Sequence, residues 1–454
     1  MKVLKILVLL FILISLSCVA YNSKKDYVYT SNSNFKKEII ASYNPNISFP
    51  RQIVSPDDFL IMPWGNRYTG TNDDDLAVRE MGEMGFNTTC FISADAMKYA
   101  KKYGLGGVLN NRPIDNSIAD VRKRAEKWAQ DIKAELGEDL DAVYMVSLRD
   151  EPTYDEKTAE ELAVFCDVAK EKLGVKPFVN LFPSYAADWQ WGTETYKEYL
   201  DNWADALKLD YISYDHYPFS LGHAPNIPGM TYNEGGAGFN ENGFYGNLEA
   251  VRDAALRHNI KFVNIIQSVG ALHWPVPDDY IIHVQGWSTL AYGGGGLAYF
   301  TLYTPAMGNW RDAPYDEYGM KSPTYRYVTH MNYAINNIAP VYTKLKSVNV
   351  FHIGNVPLSC HNQKDAKLIK ELNLVPINGE VNACVGEFTD GDGKEYAIIV
   401  NKNPLYSLMV SKIEFSNSSK IVKVNERSVG DLFVSFAGEG VYIAPGHGVL
   451  VKGE

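Results

Sequence analysis

The chain has 454 residues, 46% of them apolar and 21% charged, with 36 Gly, 21 Pro and 5 Cys. Apolar content at that level excludes a disordered chain, and so few cysteines exclude a miniature fold stapled by disulfides. The net charge of −11 comes from 43 Lys and Arg against 54 Asp and Glu, with no long basic run, so an electrostatic grip on nucleic acid is not expected.

Lys2 and Lys5 precede an apolar run from Ile6 to Leu16, followed by Ser17-Cys18-Val19-Ala20. This charged, apolar, small-residue order predicts a secretory signal peptide over 1–20, too short to span a bilayer. Cys18 adds a second reading, a bacterial lipoprotein anchored through that cysteine, and soluble secretion and lipid anchoring both stay open. No later stretch has the roughly 18 uninterrupted apolar residues of a membrane helix. Residues 21–54 are polar and rich in Ser, Asn and Lys, and read as an arm.

From there, short apolar runs alternate with helix-length amphipathic segments, the pattern of βα units. Eight runs stand out: Phe59–Trp64, Phe86–Ile92, Gly107–Asn110, Ala142–Leu148, Pro177–Phe182, Tyr211–Tyr214, Phe262–Ile266 and Leu297–Leu302. The spacing predicts a (β/α)₈ TIM barrel over 55–342, an α/β fold. No Gly-x-Gly-x-x-Gly follows the first run, and Gly293–Gly296 reads as a turn, so no nucleotide cofactor is expected. A Gly/Pro/Asn-rich insert, Ser220–Asn247, follows the sixth run as a loop over the barrel mouth. Residues 343–454 change to short β runs divided by turns such as Asp390-Gly391-Asp392-Gly393, which predicts a C-terminal β-sandwich. Cys90 and Cys166 read as packing residues, while Cys360 and Cys384 are close enough in sequence to pair in an oxidising compartment. No Cys-x-x-Cys or His-x-x-x-His spacing supports a metal site. Asn87-Thr88-Thr89 matches a glycosylation pattern but falls in the second strand and is expected to be unmodified.

Catalytic groups of such barrels sit at the carboxyl ends of the strands. Those ends here are polar and aromatic: Trp64-Gly65-Asn66-Arg67, Asp150-Glu151-Pro152, Asn180, Asp215-His216-Tyr217, Gln267-Ser268 and Tyr303-Thr304. Asp150-Glu151-Pro152 is the sharpest element, because a carboxyl half withdrawn from water at a strand end has a raised pKa and suits a general acid. The plainer reading of the tripeptide is an acidic helix start near the helix dipole.

The fourth-strand Asp-Glu-Pro resembles the Asn-Glu-Pro of the large clan of retaining (β/α)₈ glycoside hydrolases. Tyr214–Pro218, Leu290–Phe300 and the C-terminal sandwich are also similar to bacterial members of that superfamily. The resemblance implies Glu151 as acid/base, with Asp150 in place of the Asn that contacts the sugar 2-hydroxyl. One departure is sharp. The clan's nucleophile is a Glu at the end of strand seven, and Lys261–Ser268 carries Gln267 there.

Asp215 is then the best second carboxyl, as a base activating water or as an unusually placed nucleophile. Its alternative role is to orient His216 or Tyr217, or to hold a sugar hydroxyl. Carboxyls about 5–5.5 Å apart would suit retention and about 6.5–9.5 Å inversion. Asp95, Asp188 and Glu234 are weaker candidates on loops. Asp150, Asn180, His216, Tyr217 and Gln267 are expected to bind hydroxyls. Trp64, Trp274 and Tyr303 are expected to face sugar rings, with His273, Trp189 and Trp191 nearby.

The sequence thus predicts an exported glycoside hydrolase acting on a poly- or oligosaccharide without metal or cofactor. Its partner is a carbohydrate, and it meets a membrane only through an anchor at Cys18. The alternative is a carbohydrate-binding barrel that lost catalysis, which Gln267 favours. A lyase using His216 or Tyr217 as base is a third reading.

Overall fold

The computed structural model describes residues 53–65, 74–110, 119–220, 238–239, 241–271, 274–306, 308–418, 421–427, 433–435 and 440–454. The expected leader at 1–20 with Cys18, the expected arm up to residue 52, most of the insert after the sixth strand with Glu234, and His273 lie outside the described residues.

Eight parallel strands form one sheet: β1 Leu60–Pro63, β2 Thr88–Ile92, β3 Gly106–Leu109, β4 Val143–Asp150, β5 Lys176–Leu181, β6 Tyr211–Asp215, β7 Lys261–Gln267 and β8 Gly296–Phe300. Their order is β1-β8-β7-β6-β5-β4-β3-β2. The seam between β1 and β2 closes through Asn87 N–H to Ile61 O (3.2 Å) and Phe91 N–H to Gly65 O (3.1 Å). The Asn87 side chain completes it: Oδ1 accepts from Ile61 N–H (2.8 Å), and Nδ2 donates to Phe59 O (2.7 Å) and Val54 O (3.0 Å). At 1% exposure Asn87 is a closure residue and out of reach of a modifying enzyme.

Between and after the strands run α1 Asp74–Glu83, α2 Met97–Tyr103, α3 Val121–Leu136, α4 Glu156–Val168, α5 Tyr196–Leu207, α6 Glu241–His258, α7 Asp279–Ala291 and α8 Pro323–Tyr342. Side-chain oxygens of Asp120, Asp155, Thr195, Asp278 and Ser322 accept the orphan N–H groups at the starts of α3, α4, α5, α7 and α8, as helix N-caps do. The barrel is thus a closed (β/α)₈ fold. Strand alternation divides its apolar residues: Phe178, Tyr211, Val263 and Ile265 fill the lumen, while Val179, Ile212, Phe262 and Ile266 pack under the helices.

After α8 the chain becomes antiparallel β. A six-stranded sheet has the order β9-β11-β12-β17-β14-β15, and a three-stranded sheet the order β10-β13-β16. The strands are β9 Lys346–Ile353, β10 Ile369–Pro376, β11 Ala383–Thr389, β12 Glu395–Asn401, β13 Leu408–Phe415, β14 Ile421–Val424, β15 Phe433–Ser435, β16 Val441–Ile443 and β17 Gly448–Gly453. Alternate residues of β12 serve two cores. Ala397 and Ile399 face the smaller sheet, whereas Tyr396, Ile398 and Val400 join the core of the barrel helices.

The helix at this seam is α7, whose residues from Ile281 to Ala291 are all buried, so it is apolar on every side rather than amphipathic. Two glycines let the sheet approach it. A Cβ on Gly386 would lie 2.0 Å from Ala291 O, and one on Gly448 would lie 2.6 Å from the Trp287 indole. The described cysteines are thiols, and no disulfide joins Cys360 to Cys384. Among the described residues no helix is long and apolar enough to cross a membrane.

Candidate active site

The alternation that fills the lumen also fixes what faces the barrel mouth. On β5 Asn180 follows Phe178, on β6 Ser213 and Asp215 follow Tyr211, and on β7 Gln267 follows Val263 and Ile265. Each polar residue therefore shares the inward face of its strand at the carboxyl end. On β4 the register shifts between Ser147 and Arg149, so the chain reaches the mouth one residue out of phase. Glu151 then adopts φ +45°, a left-handed conformation uncommon for a residue with a side chain. Its N–H is held by Asn180 O (2.8 Å), and the next carbonyl, of Pro152, accepts from the Tyr199 hydroxyl (2.8 Å). Backbone held in a sparsely populated region clusters at functional sites.

Three carboxyls meet there. Asn180 Nδ2 donates to Asp215 Oδ1 (2.8 Å) and to Asp150 Oδ1 (3.2 Å), while its Oδ1 accepts from Ser213 Oγ (3.0 Å). Glu151 and Asp215 lie close enough to shift each other's titration, which favours one proton between the two. Burial pushes the Glu151 carboxyl far above the usual carboxylate range, and the charges of Asp215 and Asp150 push it the same way. Burial raises Asp215 too, but the Asn180 amide pulls against it, so the shared proton resides on Glu151. The pair titrates as a unit.

His216 is buried at the foot of this group. Its Nδ1 donates to Asn247 Oδ1 (3.0 Å), which also accepts from Ser184 N–H (2.8 Å), leaving Nε2 as an acceptor. Burial lowers its pKa to about 4, so the ring is neutral near pH 7. Tyr185 packs its ring edge-on at 4.9 Å from His216. Tyr217 belongs to a half-buried aromatic cluster with Trp274 (4.9 Å), Phe300 (5.2 Å) and, through both of these, Trp310 (5.5 and 5.6 Å). The Tyr217 hydroxyl is raised well above its ordinary value by burial and by the nearby charge of Asp215.

Gln267 is fully buried. Its backbone N–H and C=O are both tied to the Gln285 side chain on α7 (3.0 and 3.2 Å), and its Oε1 accepts from Phe219 N–H (3.3 Å). Its Nε2 has no hydrogen-bond partner among the described residues.

Other expected residues lie apart from this group. Trp64 is 7% exposed and packs against Phe91 (4.8 Å) and Phe178 (5.7 Å), so it caps the lumen. Tyr303 stacks on Tyr315 at 4.9 Å. Asp95, Asp188 and Trp189 are exposed, and Trp191 is buried with its Nε1–H on Pro183 O (3.1 Å). Sequence reading missed Tyr185, Asn247, Gln285, Phe300 and Trp310. Of these, Phe300 ends the eighth strand and was legible by position. Asn247 and Gln285 lie inside helices, where nothing local marks a polar residue as a support for the mouth.

One cluster of metal-type donors exists among the described residues: Asp279, His283 and His447, with ligand atoms within 4.8 Å of one another, at the seam of barrel and sandwich. Its imidazoles stack at 3.9 Å and 14°, so their in-plane lone pairs run nearly parallel rather than converging. Asp279 also accepts from both rings, through its backbone O to His283 Nδ1 (2.9 Å) and its Oδ2 to His447 Nε2 (2.9 Å).

No family model and no curated protein sequence matches the chain. Among solved structures, it is similar to a candidate alpha-galactosidase from Bacteroides fragilis (10% identity, 87% of this chain, 79% of that one, TM-score 0.49). It is also similar to the alpha-galactosidase of Saccharomyces cerevisiae solved with raffinose (9%, 87% and 97%, 0.46) and to alpha-galactosidase I of Mortierella vinacea (11%, 87% and 97%, 0.43).

Proposed function

We propose that the chain is an exported glycoside hydrolase that cleaves O-glycosidic bonds of a poly- or oligosaccharide by carboxyl acid/base catalysis. Glu151 is the proton donor to the leaving oxygen, and Asp215 is the carboxylate that steadies that proton. The observation that carries the reading is the group of Asp150, Glu151 and Asp215 gathered round Asn180 at the carboxyl ends of β4, β5 and β6, withdrawn from water. A carboxyl kept neutral at working pH is what a general acid requires. Asp150, Asn180, His216 and Tyr217 bind hydroxyls, whereas Gln267 is fully buried and packs at the end of β7, and Trp274 offers a ring face to a pyranose. Export follows from the leader at 1–20, with the mature protein released or anchored at Cys18.

The test is a panel of aryl glycosides and oligosaccharides, read as released sugar. Wild-type protein is expected to cleave a member of the panel, and Glu151→Gln to lose about 10²–10⁴-fold of that rate. A variant that keeps the wild-type rate overturns the assignment. A second reading, a binding barrel without catalysis, is favoured by Gln267 at the end of β7. Tight binding with no released sugar would select it.

A further inference from the structure

We propose that Tyr199, on α5, is a positioning residue for the acid: its hydroxyl, bonded to Pro152 O, holds the left-handed turn that keeps Glu151 in the group round Asn180. The inference rests on the hydrolase reading above, in which Glu151 is the proton donor, and adds what fixes that donor in place.

Glu151 stands at φ +45° immediately before Pro152. A proline ring crowds the residue before it and favours an extended backbone there, so the local sequence works against the observed turn. A conformation of that kind persists only where its surroundings over-determine it. Three described hydrogen bonds do so here: Glu151 N–H to Asn180 O (2.8 Å), Tyr154 N–H to Trp191 O (2.9 Å), and the Tyr199 hydroxyl to Pro152 O (2.8 Å). The first two join backbone to backbone. The third comes from a side chain and acts at the proline itself, which has no N–H of its own to offer.

Tyr199 is fully buried, and its hydroxyl also accepts from Phe182 N–H (3.2 Å). One turn earlier on α5 lies Tyr196, also buried, with its ring centroid 6.1 Å away. The Tyr196 hydroxyl donates to Phe182 O (3.0 Å) and accepts from Asn247 Nδ2 (3.1 Å), whose Oδ1 holds His216. Both hydroxyls thus grip Phe182, just past β5, but of the two Tyr199 is the one bonded to the turn of the acid. The start of α5 is fixed by reciprocal bonds between Thr195 and Glu198, so both side chains project from a firm element. Deleting the Tyr199 hydroxyl takes this partner from Pro152 O and Phe182 N–H. The turn is then free to extend and to carry the Glu151 carboxyl toward water, where its affinity for a proton falls toward that of an ordinary carboxyl. Deleting the Tyr196 hydroxyl costs two bonds of the same kind on the same helix and leaves the turn anchored.

The experiment titrates the Glu151 carboxyl by carbon-13 NMR in wild type, Tyr199→Phe and Tyr196→Phe, with the resonance assigned by its loss in Glu151→Gln. The expected result is a midpoint at least about one pH unit lower in Tyr199→Phe and unmoved in Tyr196→Phe. On any glycoside that the wild type cleaves, Tyr199→Phe should lower kcat by at least about tenfold with little change in KM, and shift the basic limb of the pH profile down by the same interval as the midpoint. A midpoint that stays in Tyr199→Phe, or moves as far in Tyr196→Phe, overturns the inference. Should Tyr199→Phe fail to fold, the double variant with Pro152→Ala, in which no proline opposes the turn, is expected to fold, and one that stays unfolded also overturns it. The titration needs no substrate, so the two readings fail separately. A wild type that cleaves no sugar while the midpoint falls as expected sinks the hydrolase reading alone, and cleavage with an unmoved midpoint sinks the role of Tyr199 alone.

Discussion

Replacing Glu151 by glutamine is expected to stabilise the protein, and to do so more strongly as pH rises. The native carboxyl holds its proton far above the ordinary value of 4.5, because burial and two neighbouring carboxylates disfavour its charge. The folded chain therefore binds this proton more tightly than the unfolded one. The folded state is spared any penalty below pH 4.5 and loses stability steadily from there until the folded group itself ionises. Each pH unit in that window costs about 1.4 kcal/mol, so at pH 7 the penalty is roughly 3 kcal/mol. Glutamine has the same shape and carries no proton to lose. Denaturant unfolding of both proteins from pH 4.5 to 8 reads the effect directly. The two stabilities should nearly coincide at the acid end, with the variant ahead by roughly 3 kcal/mol near neutrality. Curves that stay parallel across this range, or a wild type that gains on the variant as pH rises, would show that Glu151 is an ordinary solvated carboxylate and refute the reasoning.

Asn180→Ala removes the amide that opposes the rise of Asp215, so Asp215 should hold a proton to higher pH. The acidic limb of the pH profile of kcat/KM should move up by about one unit, and an unmoved limb would contradict this. Gln267→Glu puts a carboxyl in a fully buried position where, among the described residues, the side chain accepts only from the Phe219 N–H. It should cost about 1–3 kcal/mol without raising the hydrolytic rate, and a gain in rate would show that a nucleophile had been missing there. Gly386→Ala drives a Cβ to 2.0 Å from Ala291 O at the barrel–sandwich seam, whereas Gly391→Ala meets nothing within 4 Å. The first should lower stability by about 1–3 kcal/mol or more and the second should change it little, as thermal melts would read. Equal effects would mean that the seam is not tightly packed.

The barrel was legible because each of its strands is a short apolar run followed by helix-length amphipathic sequence, and the eight expected runs overlap β1 to β8 within a residue or two at most ends. Two sandwich strands are not legible in this way. In β10 the register shifts between Ile369 and Glu371 and again between Asn373 and Leu374, which breaks the period of two, and β17 is flanked by glycines that read as turns. At the mouth, Asp150, Glu151, Asn180 and Asp215 could be placed near one another because each ends a strand. Their hydrogen bonds could not, because the left-handed turn at Glu151 and the shifted register of β4 are invisible in the sequence pattern. Trp64 shows the opposite failure: a strand-end tryptophan reads as a sugar platform, yet inward-facing Phe91 and Phe178 take up its ring.

The most direct measurement is a crystal structure of the Glu151→Gln protein with an uncleaved oligosaccharide bound. The glycosidic oxygen is expected within about 2.6–3.2 Å of the amide nitrogen that this substitution introduces, the position of the Glu151 carboxyl in the native protein. A sugar chain bound elsewhere on the barrel or on the sandwich, leaving the Asp150–Glu151–Asp215 group untouched, would contradict the assignment of Glu151 as proton donor.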